Sequence, residues 1–399
     1  MDLLGWVIFV VALLFSVMLH ETGHFVLAKR FGMKVTRYFV GFGPTIWSTW
    51  RGETEYGIKA LPLGGFVKIV GMHSLDDPDD PADEAQSFRS KPAWQRIAVL
   101  CAGSFMHFLL AFLLIGALAL GVGIANDNVT QLSTISSCVP ASVTAYNNNT
   151  CVASDAASPA KQAGLQVGDV VTAFDGHPVS TWTQLDNAIK AARPGQAVTI
   201  TVRRDGQPVT LHTTLAEVSG RDVAYLGIAP AVVFQVASPL GAIKYAGTTF
   251  GQTLVGSADA VAALPSSLPK LFSKNRSSSA SAQPVSVVGA AEATGAVVAA
   301  NWGWQYKVSF VLLLIASLNI FIGAFNLLPL LPMDGGHVAA IIYERIRAWF
   351  ARLRGRPDPG LVDMSKMLPV SFSLFMVVVF FSVAVVLADI VNPVNFLNG

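Results

Sequence analysis

The chain has 399 residues, of which 52% are hydrophobic and only 13% charged, against roughly 45–50% and 25% in an ordinary soluble domain. Such a deficit of charge excludes a soluble globular enzyme and points to long segments solvated by lipid. A formal net charge of +2, with no basic block interleaved with aromatics, excludes nucleic acid as a partner, and three cysteines are too few for a disulfide scaffold.

The first element is an uncharged run over 3–19 that ends on His20 and Glu21 and is long enough to cross a hydrocarbon core. No basic residues precede it and no Ala-x-Ala site follows, so it reads as a retained span rather than a signal peptide. His20-Glu21-Thr22-Gly23-His24 has the form H-E-x-x-H. On a helix, positions four apart share a face, so both imidazoles reach one Zn²⁺ while Glu21 takes a proton from the water that zinc activates. Seven His and seven Glu in 399 residues produce roughly 0.002 such matches by chance. Ionisable residues this deep in a span are costly, which makes function the default reading.

After the metal helix come Tyr38 to Pro44 and Thr54 to Ile69; the second stretch partly alternates and ends in the pair Gly64-Gly65, which predicts a hairpin. A second uncharged run covers 97–124 and contains Cys101 and His107. Ala163-Gly164-Leu165-Gln166-Val167-Gly168-Asp169-Val170-Val171 opens a strand, helix and hairpin sequence whose hairpin turns at Asp205-Gly206. The stretch 240–264 is apolar on average but holds Lys244 and Asp259, which predicts an interfacial amphipathic helix. The Ser-rich stretch 266–284 reads as a flexible linker. A third run covers 308–333 and leads into Asp334, 345–356 predicts a basic amphipathic helix on the inner leaflet, and the last run is 368–387.

Basic residues give the orientation. Nine Lys and Arg from Lys29 to Lys91 lie between the first two runs, and six from Arg345 to Lys366 between the last two, so both loops are cytosolic and 126–306 is outside. Cys138 and Cys151 fall in that oxidising outer segment, where spacing alone leaves their pairing open; Cys101 is a reduced packing residue. A catalytic zinc needs a third protein ligand. His107 lies about 15 Å into its span from the cytosolic side, whereas Asp334 sits at the cytosolic end of the third run, level with His20, so Asp334 is the expected ligand and His107 a satisfied interior histidine.

His20-Glu21-x-x-His24 in a first span, Asn326-x-x-Pro329 and Met333-Asp334-Gly335 in a later one, and four spans with an outer domain between the second and third resemble the site-2 protease family of intramembrane zinc proteases. The likeness is greatest to RseP-type members and the actinobacterial regulated-intramembrane-proteolysis enzymes. The resemblance implies zinc on His20, His24 and Asp334, Glu21 as general base, and Asn326 holding the substrate or its oxyanion. Met333 replaces the family's usual Leu, a volume-conserving exchange. Pro329 and Pro332 would break the helix and free backbone groups to line a polar cavity.

RseP-like proteins have a membrane-re-entrant β element where this chain has Gly57 to Phe66. Since an intramembrane protease must hold its substrate extended, Gly57, Ile58, Lys59, Ala60, Gly64, Gly65 and Phe66 are the expected substrate-binding strand. The outer segment similarly resembles a PDZ domain of bacterial proteases. Before the third span, Gln283 to Gly289 resembles a short family motif. The implied fold is a polytopic α-helical membrane protein with four transmembrane helices, a membrane-re-entrant β-hairpin and one extracytoplasmic α+β PDZ domain. Its segments are 1–29, 30–93, 94–125, 130–233 (PDZ), 234–306, 307–336, 337–367 and 368–391. The implied function is cleavage of single-span membrane proteins, of the anti-sigma-factor type already trimmed by a site-1 protease, in the bacterial plasma membrane with lipids as neighbours. The alternative is a membrane-anchored PDZ scaffold or sensor with a non-proteolytic zinc site.

Overall fold

The computed structural model describes residues 3–72, 81–147, 150–271, 286–331, 333–362 and 368–391. The chain forms two units, 1–122 with 237–399, and 123–236.

The first unit opens with α1 (Leu3–Arg30), followed by strands β1 (Val35–Arg51) and β2 (Thr54–Ile69) and then α2 (Ala93–Ala117), which continues through one π-type turn to Val122. The second unit contains β3 (Ile124–Asn126), β4 (Leu132–Ile135), α3 (Val143–Asn147), α4 (Pro159–Gln162), β5 (Val170–Phe174), β6 (His177–Pro178), α5 (Trp182–Ala191), β7 (Ala197–Arg204), β8 (Gln207–Thr214), β9 (Ala216–Val218), β10 (Arg221–Tyr225), β11 (Ile228–Pro230) and β12 (Val233–Gln235). The chain then returns to the first unit as α6 (Pro239–Leu271), α7 (Val287–Ala299), α8 (Trp304–Asn326), α9 (Asp334–Leu353) and α10 (Leu368–Val391).

Among the described residues, α1, α2 with its extension, and α8 are long and apolar enough to cross a membrane. The third apolar run is not one helix to Met333. It stops at Asn326, because Pro329 lacks the N–H that continued helix would need, and the chain turns through the bonds Leu330 N–H to Leu328 O (2.7 Å) and Met333 N–H to Leu330 O (2.9 Å). Asp334 therefore opens α9 rather than ending a span. Pro332, most of the expected linker and residues 283–285 of the family motif lie outside the described residues. Ser286 caps α7 by accepting from Gly289 N–H at 3.2 Å.

The segment expected as an interfacial helix is α6. Its small residues bring it up against the spans, with Ala246 buried among Ala111 and Ile115 of α2 and Ala316 and Ile320 of α8.

The strands β1 and β2 fold back on themselves. Residues 45–51 pair with 54–59; residues 37–40 pair with 55–58 on one side and with 65–68 on the other. The bends are made by Gly41 (φ +87°), Gly43 (φ +80°) and Gly64 (φ +139°), a backbone region that only glycine enters without strain. The Gly64-Gly65 pair is thus a bend within β2, not the hairpin turn, which lies at Gly52-Glu53. Row 65–68 is an outer edge, and Gly65 lies against Met18 of α1.

In the second unit the sheet order is β6-β5-β7-β8. Alternation in β7 sends Val198, Ile200 and Val202 inward to meet Val171, Phe174, Leu185 and Ile189, while Asp205 (φ +50°) and Gly206 (φ +82°) make the tight β7–β8 turn. β12 pairs with β3. Cys138 and Cys151 form a disulfide, and Cys101 is free.

Asp169, just before β5, is buried and receives Arg204 in a fork, Nε to Oδ1 at 2.8 Å and Nη2 to Oδ2 at 2.7 Å. The guanidinium holds the Asp169 carboxyl below the usual carboxylate range, and the carboxylate raises Arg204. A lowered carboxyl pKa contributes stability above the unfolded value, near 3.9, that is lost as pH falls through the lower folded value. Hydrogen exchange should therefore show weaker protection of β5 and β7 in Asp169→Asn at pH 7, with the difference from the native chain vanishing at strongly acid pH.

Candidate active site

The residues of H-E-x-x-H lie in one unbroken helix because α1 has no glycine or proline between Trp6 and Thr22 and is packed on both α2 and β2. His20 and His24, one turn apart, point the same way; their Nε2 atoms are 3.0 Å apart and both rings are buried. Asp334, the first residue of α9, brings Oδ2 to 3.3 Å from His20 Nε2 and 3.4 Å from His24 Nε2. Four tetrahedral ligands on bonds of about 2.0–2.1 Å stand about 3.3 Å from one another. Two imidazole nitrogens and one carboxylate oxygen at these separations fit zinc, and leave one corner for water or substrate. Among the described residues these three are the group that could hold a metal ion.

Close backbone approach makes the convergence. A Cβ on Gly103 of α2 would strike the His20 ring and come within 2.5 Å of His24 Nε2, and a Cβ on Gly23 would meet Ala102 O at 2.6 Å. Without side chains at these two positions, α1 and α2 approach closely enough to bury both imidazoles. Gly336 does the same for Asp334: a Cβ there would sit 2.7 Å from Leu331 N in the turn before α9. The carbonyl of Val99 in α2 lies 2.7 Å from His24 Nδ1, which assigns the proton to that nitrogen and leaves Nε2 for the metal.

Glu21 stands beside the pair and accepts the backbone N–H of Val67 through Oε2 at 2.9 Å. That bond joins the outer edge of β2 to the carboxylate. Gly64, Gly65 and Phe66 lie directly upstream along this edge. Gly57 and Ile58 sit in a row paired on both sides, and Lys59 pairs with Thr45, so these residues and the neighbouring Ala60 do not share the edge beside Glu21. Asn326 ends α8, partly buried.

His107 is nearer the metal site than its distance along α2 predicts. Its ring lies 5.0 Å from that of His20, because the two helices cross here, and Nδ1 is 2.7 Å from Asn319 Oδ1 of α8. Asn319 in turn donates to Ser16 Oγ at 3.0 Å and to Ile315 O at 2.8 Å. Asn319 belongs to no motif in the sequence, although an asparagine inside an apolar span is itself a signal of a buried polar role.

Two histidines and an aspartate from a long apolar helix and an adjoining one, with a glutamate alongside, define a membrane metallopeptidase. The model of Peptidase family M50 matches residues 8–356, and the chain belongs to that family. Among curated relatives it is 37% identical to "Zinc metalloprotease Rip1" of Mycobacterium tuberculosis, with 98% of each chain covered. It is 35% identical to the protein of the same name in Mycolicibacterium smegmatis, again over 98% of each. Among solved structures, the PDZ domain of an SdrC-like protein from Listeria monocytogenes matches 25% of this chain and 90% of its own, at 18% identity and a TM-score of 0.18.

Proposed function

We propose that this zinc metallopeptidase cuts single-span membrane proteins within the bilayer, near its cytosolic side, and that it does so after a site-1 protease has trimmed their outer parts. The convergence of His20, His24 and Asp334 at single-ion separation, beside a carboxylate bonded to a strand edge, carries the reading. Zinc held there supplies Lewis acidity, making water acidic near neutral pH and polarising the scissile carbonyl. The Glu21 carboxylate, one oxygen of which (Oε2) is held by the Val67 N–H, would take up the proton that the attacking water loses and return it to the leaving amine. His24 is held in its tautomer by the Val99 carbonyl.

An unwound substrate segment would lie along Gly64-Gly65-Phe66 as an added strand, with Asn326 as a further contact. Ile46, Trp47 and Trp50 are 69%, 56% and 63% exposed on the far row of the same folded sheet, which supports insertion of that end into lipid. In this reading α1, α2, α8 and α10 cross the plasma membrane. The unit 123–236, with its β6-β5-β7-β8 sheet, is an extracytoplasmic PDZ domain that screens substrates, and anti-sigma factors are the fitting class. The test is to incubate the purified chain in detergent with single-span anti-sigma segments, trimmed and untrimmed, with and without a zinc chelator. Cleavage of the trimmed segment alone, stopped by the chelator and restored by zinc, is expected; equal cleavage of both would remove the screening role, and no cleavage of either would remove the substrate class.

A further inference from the structure

Asp334 reaches the two histidines only if α9 lies at one particular slide and roll on α2, because α9 begins at the ligand itself, after a turn. The near end of α9 is fixed by its glycines against that turn. The far end is fixed by a buried ion pair: Arg96 of α2 donates from Nη2 to Glu344 Oε2 at 2.8 Å, with the two residues 5% and 6% exposed. Glu344 uses its other oxygen as well, Oε1 accepting Val362 N–H at 3.0 Å. Glu344 is ten residues, about 15 Å, along α9 from Asp334, and Arg96 is seven residues, about 10 Å, along α2 from Gly103. Between pair and metal site, Val99 and Leu100 pack on Ile341 and Val338, and Val99 also supplies the carbonyl that holds His24.

Apolar packing along this seam is non-directional and by itself leaves α9 free to settle at neighbouring positions on α2. A charge-assisted bond between two buried groups is directional. Stability does not demand it, since exchanging a buried ion pair for apolar residues of similar volume is often neutral or stabilising. We infer that Arg96 and Glu344 are a positioning pair for the metal centre, locking α9 where Asp334 completes the ligand set; the inference rests on the zinc reading of that set.

The test uses the full-length chain in detergent. Zinc affinity is measured by competition with a chromogenic chelator, alongside thermal unfolding, for the native chain, for Arg96→Met/Glu344→Leu, and for the exchanged pair Arg96→Glu/Glu344→Arg. The apolar double variant should stay folded, losing at most the stability of the Val362 N–H bond that Glu344 Oε1 accepts, yet hold zinc at least about tenfold more weakly, the range known for residues that orient metal ligands. The exchanged pair should recover most of that loss. Native zinc affinity in a folded apolar double variant overturns the inference, as does a folded exchanged pair no tighter than the apolar one. Should the apolar variant not fold, the exchanged pair decides, near-native affinity supporting the lock and a folded chain with weakened zinc overturning it. A native chain that takes up no zinc would instead overturn the zinc reading beneath it.

Discussion

Glu21→Gln should leave zinc bound at native stoichiometry and slow cleavage of a membrane substrate by about 10³-fold or more, within the range that a positioned proton acceptor contributes. Gln matches Glu in shape, and its carbonyl oxygen still accepts the Val67 N–H that now holds Oε2, so the site keeps its form. What the amide lacks is a place for a proton at neutral pH. Metal content by elemental analysis and single-turnover cleavage separate the two properties. Cleavage at the native rate by a zinc-loaded Glu21→Gln chain would require another base.

Asp334→Ala should lose the metal itself. The structural zinc sites of small domains bind with about 10–16 kcal/mol shared among four ligands, so one anionic ligand accounts for about 3–4 kcal/mol, or about 10²–10³-fold in affinity. Asp334 is a short side chain that is partly buried, so the cavity it leaves is small and unfolding should change little while zinc affinity collapses. His107, whose ring is 5.0 Å from His20, is the internal control. If Asp334→Ala retains zinc and His107→Ala releases it, the third ligand has been misassigned.

The residues behind these two predictions differ in how legible they are in the amino-acid sequence. The expectation that His20 and His24 share a metal follows from helical spacing, a rule local to one helix, and the role proposed for Glu21 follows from its place beside them. Asp334 follows from matching depth between two apolar runs, and the same reasoning sets His107 aside as too deep. Depth along one helix says nothing about where a second helix crosses it; α1 and α2 cross at Gly23 and Gly103, and the crossing brings His107 to the metal site. The strand proposed to hold the substrate shows the same division. Composition marks 54–69 as strand, but pairing partners are set by contacts far apart in sequence, so the edge beside Glu21 emerges only from the fold.

The amino-acid sequence by itself determined that this chain lives in lipid, where its apolar runs lie, and that two histidines share one helix face with a glutamate beside them, because each follows from the order of neighbouring residues. Only the tertiary structure decided that Asp334, beyond the proline break, opens a new helix against the two histidines, that Val67 holds Glu21, and that Arg96 meets Glu344. Each of these depends on how closely two distant segments approach, which is governed by the glycines at their crossings and the packing around them.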